Sequence, residues 1–166
     1  MTIRQALPDD YEQIHHLVRE AFKTGLLPPD NEESYVLDLR KRPTFVPELE
    51  LVAEREGECI GHMMLTKFSV QEHESLWLSI LCVKLEHRSQ GIGAKLVEAG
   101  FERARRLGYA SVFLLGYPNY YRKFGFKEVG EFGLGNQSGF PDEFVLGCEL
   151  FPEGLSHVQG DVGTIE

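Results

Sequence analysis

Three cysteines, one tryptophan and no apolar run long enough to span a bilayer define what this 166-residue chain is not. Cys59, Cys82 and Cys148 are odd in number, far apart and each set in an apolar stretch, which suits buried reduced thiols better than a disulfide frame or a metal site. The longest mainly apolar run, residues 76–85, is far short of the roughly 20 residues that a membrane helix needs. The opening MTIRQALPDD also lacks the apolar core of a signal peptide. A cytoplasmic location, with no membrane partner, is therefore expected. Basic residues are the minority, 17 Lys and Arg against 26 Asp and Glu, for a net charge of −9. Nucleic-acid binders that work through their net field carry the opposite balance, so no nucleic-acid partner is expected. HExxH is absent, and the adjacent pair His15-His16 cannot present both rings to one ion from one helix face, so no metal is expected either.

What the chain does contain is 42% hydrophobic residues, enough for a substantial core in one domain. Residues 2–6 read as a short strand. Pro8, Asp9 and Asp10 then supply a helix start, followed by Ile14, Leu17, Val18, Ala21 and Phe22 at helical spacing, with Gly25 and Pro28-Pro29 closing the segment. Asp30 is placed to cap a second helix carrying Tyr35, Val36 and Leu39, ending before Pro43. Strand-like runs at 48–55, 59–70 and 75–83 predict an antiparallel meander. A helix is expected over 91–107, stopped by Gly108, and a short buried strand over 110–115. One or two helical turns at 118–124 and strands near 126–129 and 144–150 complete the series. The segment 133–141 is loop-like. The tail after Glu153 is expected to be partly ordered strand or an extended arm.

The most informative stretch runs from Leu81 through Cys82, Val83, Arg88, Ser89, Gln90, Gly91, Ile92 and Gly93 to Leu96, a strand passing through a glycine turn directly into a helix. Such a turn aims several unpaired backbone amides, reinforced by the helix dipole, at one spot that favours an anion. Gly91 and Gly93 allow close backbone approach, and Arg88 adds a cation at the rim. A Walker loop is excluded because neither glycine begins GxxxxGK[ST]. A dinucleotide fingerprint is excluded because Leu96 stands where a third small residue is required. Taken alone, two glycines are equally compatible with a tight turn of purely structural value.

The pattern Arg88-x-x-Gly91-x-Gly93, between an apolar strand and an amphipathic helix, resembles the acetyl-CoA pyrophosphate loop of the GNAT N-acetyltransferase superfamily. Downstream, Tyr120-Tyr-Arg-Lys-Phe-Gly-Phe126 is similar to that superfamily's Tyr-x-x-x-Gly-Phe element. The resemblance covers nearly the whole chain and is closest to an uncharacterised bacterial branch of the superfamily.

It implies a single α/β (α+β) domain over residues 1–152, with residues 153–166 as a C-terminal tail. The implied core is a central mixed, mostly antiparallel twisted sheet of six or seven strands, flanked by about four helices, with strands 4 and 5 splayed for the pantetheine arm. It further implies that Leu81, Cys82 and Val83 offer main-chain groups to that arm, and that residues Arg88, Ser89, Gln90, Gly91, Ile92 and Gly93 hold the phosphates. Tyr121 takes the position of the acid that protonates the departing thiolate, a role suited to a phenol whose ordinary pKa is about 10. The implied activity is transfer of acetyl from acetyl-CoA, as co-substrate, to a primary amine of a small molecule or protein, by direct attack in a ternary complex.

The superfamily's usual glutamate base is missing, since Trp77 stands near its position, which leaves a water chain, His73, Glu74 or Ser79. That gap keeps open a non-catalytic acyl-CoA sensor on the same fold. No oligomeric state follows from the sequence.

Overall fold

The structure, a computed structural model, describes residues 1–23 and 32–163. In chain order its elements are β1 (Thr2–Gln5), α1 (Tyr11–Phe22), α2 (Glu32–Leu39), β2 (Phe45–Arg55), β3 (Glu58–Val70), β4 (His73–Val83), α3 (Ile92–Arg106), β5 (Ser111–Leu115), α4 (Pro118–Tyr121), β6 (Lys127–Glu128), β7 (Gly135–Asn136), β8 (Val145–Glu149) and β9 (Asp161–Val162). Seven strands form one sheet in the order β1-β2-β3-β4-β5-β8-β6. Its β4–β5 contact is parallel and its β1–β2, β2–β3, β5–β8 and β6–β8 contacts are antiparallel, the mixed, mostly antiparallel sheet that the resemblance implies. The expected closure of α1 by Gly25 and Pro28-Pro29 and the cap at Asp30 lie outside the described residues. Among the described residues, no helix is long and apolar enough to cross a membrane.

The chain divides into two compact units, residues 1–66 with 79–103 and residues 67–78 with 104–166. In the first, β2 and β3 are joined at Glu56-Gly57, where both residues have positive φ (53° and 79°). Two successive left-handed residues match the right-handed twist of the flanking strands, which is why a short turn here makes a hairpin. The period of two along β3 then puts Met64 on one face and Met63 and Leu65 on the other. Ile14, Leu17, Val18 and Ala21 of α1 and Val36 and Leu39 of α2 pack with Val52, Met64, Ile80 and Cys82 on the first face. On the opposite face α3 lies close, because Gly61 and Gly100 leave room for it. A Cβ on Gly61 would sit 2.9 Å from Leu96 Cδ1, and one on Gly100 would sit 2.0 Å from Met63 Cε.

In the second unit all five residues of β5 pair with β8, and Leu76 and Trp77 of β4 pair with Val112 and Phe113 of β5. Trp77, Val70, Phe113, Val129, Leu134, Val145, Leu155 and Val162 form its core. The segment expected as loop and the tail meet in a small parallel ladder of β7 and β9, with Gly135 N donating to Gly160 O (3.0 Å) and Gln137 N to Val162 O (2.8 Å). Leu155 and Val162 are fully buried, so the tail supplies core as well as backbone pairing. Leu155→Ala is accordingly expected to lower the unfolding free energy by about 2–5 kcal/mol, the cost of a buried Leu cavity. The change is read as a lower urea midpoint at unchanged slope.

Candidate active site

The strand-to-helix connection adopts the geometry its composition predicts. After β4, Ser89 (φ 61°) and Gly91 (φ +80°) both enter the left-handed region, turning the chain sharply into α3. Lys95 N donates to Gly91 O (3.1 Å), so the amides of Ile92, Gly93 and Ala94 precede the helical ladder and have no carbonyl four residues back inside the helix. Beyond the adjoining residues of the chain, no atom lies within 4 Å of where a Cβ on Gly91 would stand. The loop therefore presents open space beside a set of first-turn amides, the arrangement that attracts an anion.

Arg88 is tied to this loop differently from a free rim cation. Its Nε donates to Val83 O (3.2 Å) and its Nη2 to Ala21 O (2.8 Å), joining the end of β4 to the last turn of α1. A cation that sequence reasoning missed comes from β2: Arg55 Nη1 donates to Gln90 Oε1 (3.5 Å) and lies 3.3 Å from His87 Nδ1. On α3, Arg103 donates to Glu48 O and Arg105 to Leu150 O, so both serve as links to main-chain carbonyls. Leu81 and Val83 are partly exposed and Cys82 is buried. Burial pushes the Cys82 thiol up to about 12, which makes it a packing residue and not a nucleophile.

Tyr121 ends α4, whose first residue, Pro118, is preset for a helix start. Its ring makes edge contacts with Tyr120 (centroids 4.9 Å apart) and Phe126 (5.7 Å). Gly116 is required beside it, since a Cβ there would stand 2.6 Å from Tyr121 Cε2. Burial, reinforced by Tyr120, raises the Tyr121 pKa well above the ordinary phenol value, so the hydroxyl keeps its proton at neutral pH.

The proposed bases on β4 separate by position. His73 and Glu74 open the strand, and at about 3.3 Å per residue His73 is roughly 26 Å along it from Leu81. His73 Nε2 is also within 2.8 Å of Ser111 Oγ, which in turn meets Ser75 Oγ at 2.7 Å, a polar chain at the start of β4 and β5. Trp77 is buried against Phe68 (4.9 Å between centroids), filling with a core ring the position where a base was sought. Ser79 is near Leu81 in sequence, with its hydroxyl 3.0 Å from Thr66 Oγ1.

A titratable cluster unforeseen from the sequence lies between β2, β3 and the end of α2. Arg40 donates to Glu50 through Nε (3.0 Å to Oε1) and Nη2 (2.5 Å to Oε2), and His62 Nε2 stands 2.8 Å from Glu50 Oε2. Glu50 is 1% exposed and His62 0%. Burial would raise the Glu50 pKa, but hydrogen bonds from His62 and Arg40 outweigh it and hold the carboxyl below its usual range. Burial lowers the His62 pKa against the opposing pull of Glu50, so the ring is neutral at pH 7 and Nε2 carries the proton donated to Glu50. Among the described residues no group of three or more His, Cys, Asp and Glu is arranged to hold a metal.

The profile of the acetyltransferase (GNAT) domain family matches residues 2–129. The chain belongs to the GNAT acetyltransferase family. Among GNAT proteins it is 33% identical over 148 residues to the uncharacterised N-acetyltransferase YhbS of Escherichia coli, covering 84% of each chain. It is 32% identical over 117 residues to YjhQ of the same organism, covering 68% of this chain and 65% of YjhQ. The crystal structure of E. coli YhbS in complex with CoA superposes with a TM-score of 0.88 at 28% identity, covering 99% of this chain and 89% of that one. A GNAT acetyltransferase from Brucella melitensis in complex with acetyl-CoA gives 0.70 at 30% identity, over 76% of this chain and 82% of that one.

Proposed function

We propose that this GNAT protein transfers an acetyl group from acetyl-CoA to a primary amine by direct attack within a ternary complex. The observation that carries the proposal is the loop of Ser89 and Gly91 with the amides of Ile92, Gly93 and Ala94. Its open space and unpartnered donors fit a pyrophosphate, and the CoA and acetyl-CoA complexes of the two similar structures support that ligand. The thioester supplies the activated acetyl group. Leu81, Cys82 and Val83 are the main-chain edge assigned to its pantetheine arm, where an amide can stabilise negative charge developing on the carbonyl oxygen. Arg88 keeps the loop against β4 and α1, and Tyr121 donates the proton that the leaving thiolate needs. The three cysteines are free and buried, which suits work in a reducing compartment such as the cytoplasm.

The test is a calorimetric titration with acetyl-CoA, followed by a panel of small primary amines and lysine peptides with release of the free thiol as readout. Saturable binding and turnover of at least one amine support the proposal. Binding without any turnover favours a sensor of acyl-CoA, and no binding overturns both. Gly91→Asp carries a sharper expectation, because Asp tolerates a left-handed backbone better than most residues and places a carboxylate in the anion cradle. It is expected to weaken acetyl-CoA binding about tenfold or more through like-charge repulsion, whereas the uncharged Gly91→Asn is expected to weaken it far less.

A further inference from the structure

A cavity of about 270 Å³ lies between α4 and β6. Its apolar lining is Pro118, Phe126 and Leu146, the last two only 2% and 1% exposed. Four charged residues complete it: Arg122 directly after α4, Lys127 and Glu128 of β6, and Glu131 in the helical turn that follows. All four are exposed. None has an ion-pair partner among the described residues, whereas Arg4, Arg40, Arg42 and Lys84 all pair with carboxylates. Two cations and two carboxylates thus surround one apolar cavity without pairing to one another.

That lining selects among ligands. A plain anion drawn by Arg122 and Lys127 would also meet Glu128 and Glu131, and a plain cation would meet the reverse, so the cavity favours a molecule carrying both charges. The volume falls just short of the roughly 300–1,000 Å³ of sites for drug-sized ligands, which suits one amino-acid-sized molecule and excludes a nucleotide or CoA. A peptide added as a strand is disfavoured too. Although β6 ends its sheet, it offers only two residues and hence too few main-chain hydrogen bonds to hold one.

We propose that this cavity binds a free α-amino acid with an apolar side chain. Arg122 and Lys127 take its carboxylate, Glu128 and Glu131 take its ammonium, and its side chain rests on Phe126, Leu146 and Pro118. Charge-assisted hydrogen bonds orient the two ends, and removal of the side chain from water supplies the rest of the affinity. The site adjoins the phenol assigned above to the leaving thiolate. Phe126 packs edge-on against Tyr121, with ring centroids 5.7 Å apart, and Pro118 and Arg122 bracket Tyr121 along the chain. An amino acid seated on Phe126 therefore changes the surroundings of the Tyr121 ring. None of the lining residues belongs to the loop of Ser89 and Gly91, so binding requires no acetyl-CoA.

L-Leucine is the probe. The full-length protein, without acetyl-CoA, is titrated calorimetrically with L-leucine, with leucinamide, which lacks the carboxylate, and with N-acetyl-L-leucine, which lacks the ammonium. The same titrations are run on the double variant Arg122→Gln/Lys127→Gln, whose replaced side chains are exposed, so that its urea midpoint should match wild type. Tyrosine-labelled protein is followed by NMR, the Tyr121 ring signals being those that vanish in Tyr121→Phe. Expected are saturable binding of L-leucine by wild type and a shift of the Tyr121 ring signals at saturation. Affinity should be at least about tenfold lower for leucinamide, for N-acetyl-L-leucine and for L-leucine with the double variant, the loss expected for a charge-assisted hydrogen bond. No saturable binding of L-leucine overturns the proposal, as does equal affinity for the three compounds. Wild-type affinity in the double variant, or unmoved Tyr121 signals, would put the leucine elsewhere and overturns it as well. Since no arm contains acetyl-CoA, failure here leaves the acetyl transfer proposed above standing, and failure of that transfer leaves this result unchanged.

Discussion

Glu50→Ala is expected to lower the unfolding free energy by about 3–5 kcal/mol, the cost of breaking a buried ion pair by removing one partner. The alanine leaves the Arg40 guanidinium without its carboxylate and strips the buried His62 Nε2–H of its acceptor. Urea denaturation at pH 7.5 reads the loss, and a change below about 1 kcal/mol would mean that Arg40 swings out to solvent in the variant. The same cluster ties wild-type stability to pH with a definite sign. Glu50 has a lowered pKa in the folded protein, so its contribution is present above the ordinary carboxylate range and is lost as pH falls through that range. His62 also has a lowered pKa, so below its ordinary value of 6.5 the unfolded chain takes up a proton that the folded ring resists. Both effects make the protein less stable as pH drops, and the histidine part begins near pH 6.5. His73, lowered by burial as well, adds to that part. His62→Gln should therefore flatten the stability curve between pH 6.5 and 5 without abolishing its slope.

Legibility in the sequence tracked how local each feature is. α3 and the three long strands β2, β3 and β4 were predictable because Ile92, Leu96, Val97 and Phe101 repeat at helical spacing and the strand runs are bounded by turn residues. The turn from β4 into α3 was legible for the same reason, since Ser89, Gly91 and Gly93 stand close together where the strand gives way to the helix. The β7–β9 ladder was not, because each strand has two residues and no period can show in two. Glu50 was hidden by a different cause. In the run Glu48-Leu-Glu-Leu51 it reads as the solvent side of an alternating strand, yet residues 49–53 are all buried, because helices cover this part of the sheet on both faces. His62, inside Gly61-His-Met-Met-Leu65, gave no local hint of a partner twelve residues earlier. Arg55 likewise acquires its place beside Gln90 only through the sheet. The residues that sequence missed are those whose environment is set by pairing across strands.

Tyr121→Phe is expected to lower kcat by about 10²–10⁴, the usual contribution of a positioned general acid, with acetyl-CoA affinity within about twofold of wild type. The substitution removes one oxygen and keeps the ring that packs against Tyr120 and Phe126, so the fold around α4 has no reason to change. Thiol release from the panel amine gives kcat, and a calorimetric titration gives the affinity; a loss confined to affinity would assign the phenol to binding alone. Tyr120→Phe is the matched control: its hydroxyl belongs to a ring 39% exposed, and its loss should leave kcat within a few-fold. The pH profile separates the acid from its neighbours. Because burial raises the Tyr121 pKa, the protonated phenol persists beyond its ordinary value of 10, and the rate carries no falling limb from this residue below that pH. A limb near pH 8 or 9 that disappears in Tyr121→Phe would place the phenol in a more polar, charge-stabilising setting than its packing provides. A wild-type rate flat from neutrality to pH 10, together with a slow variant that binds normally, is the outcome that a buried proton donor requires.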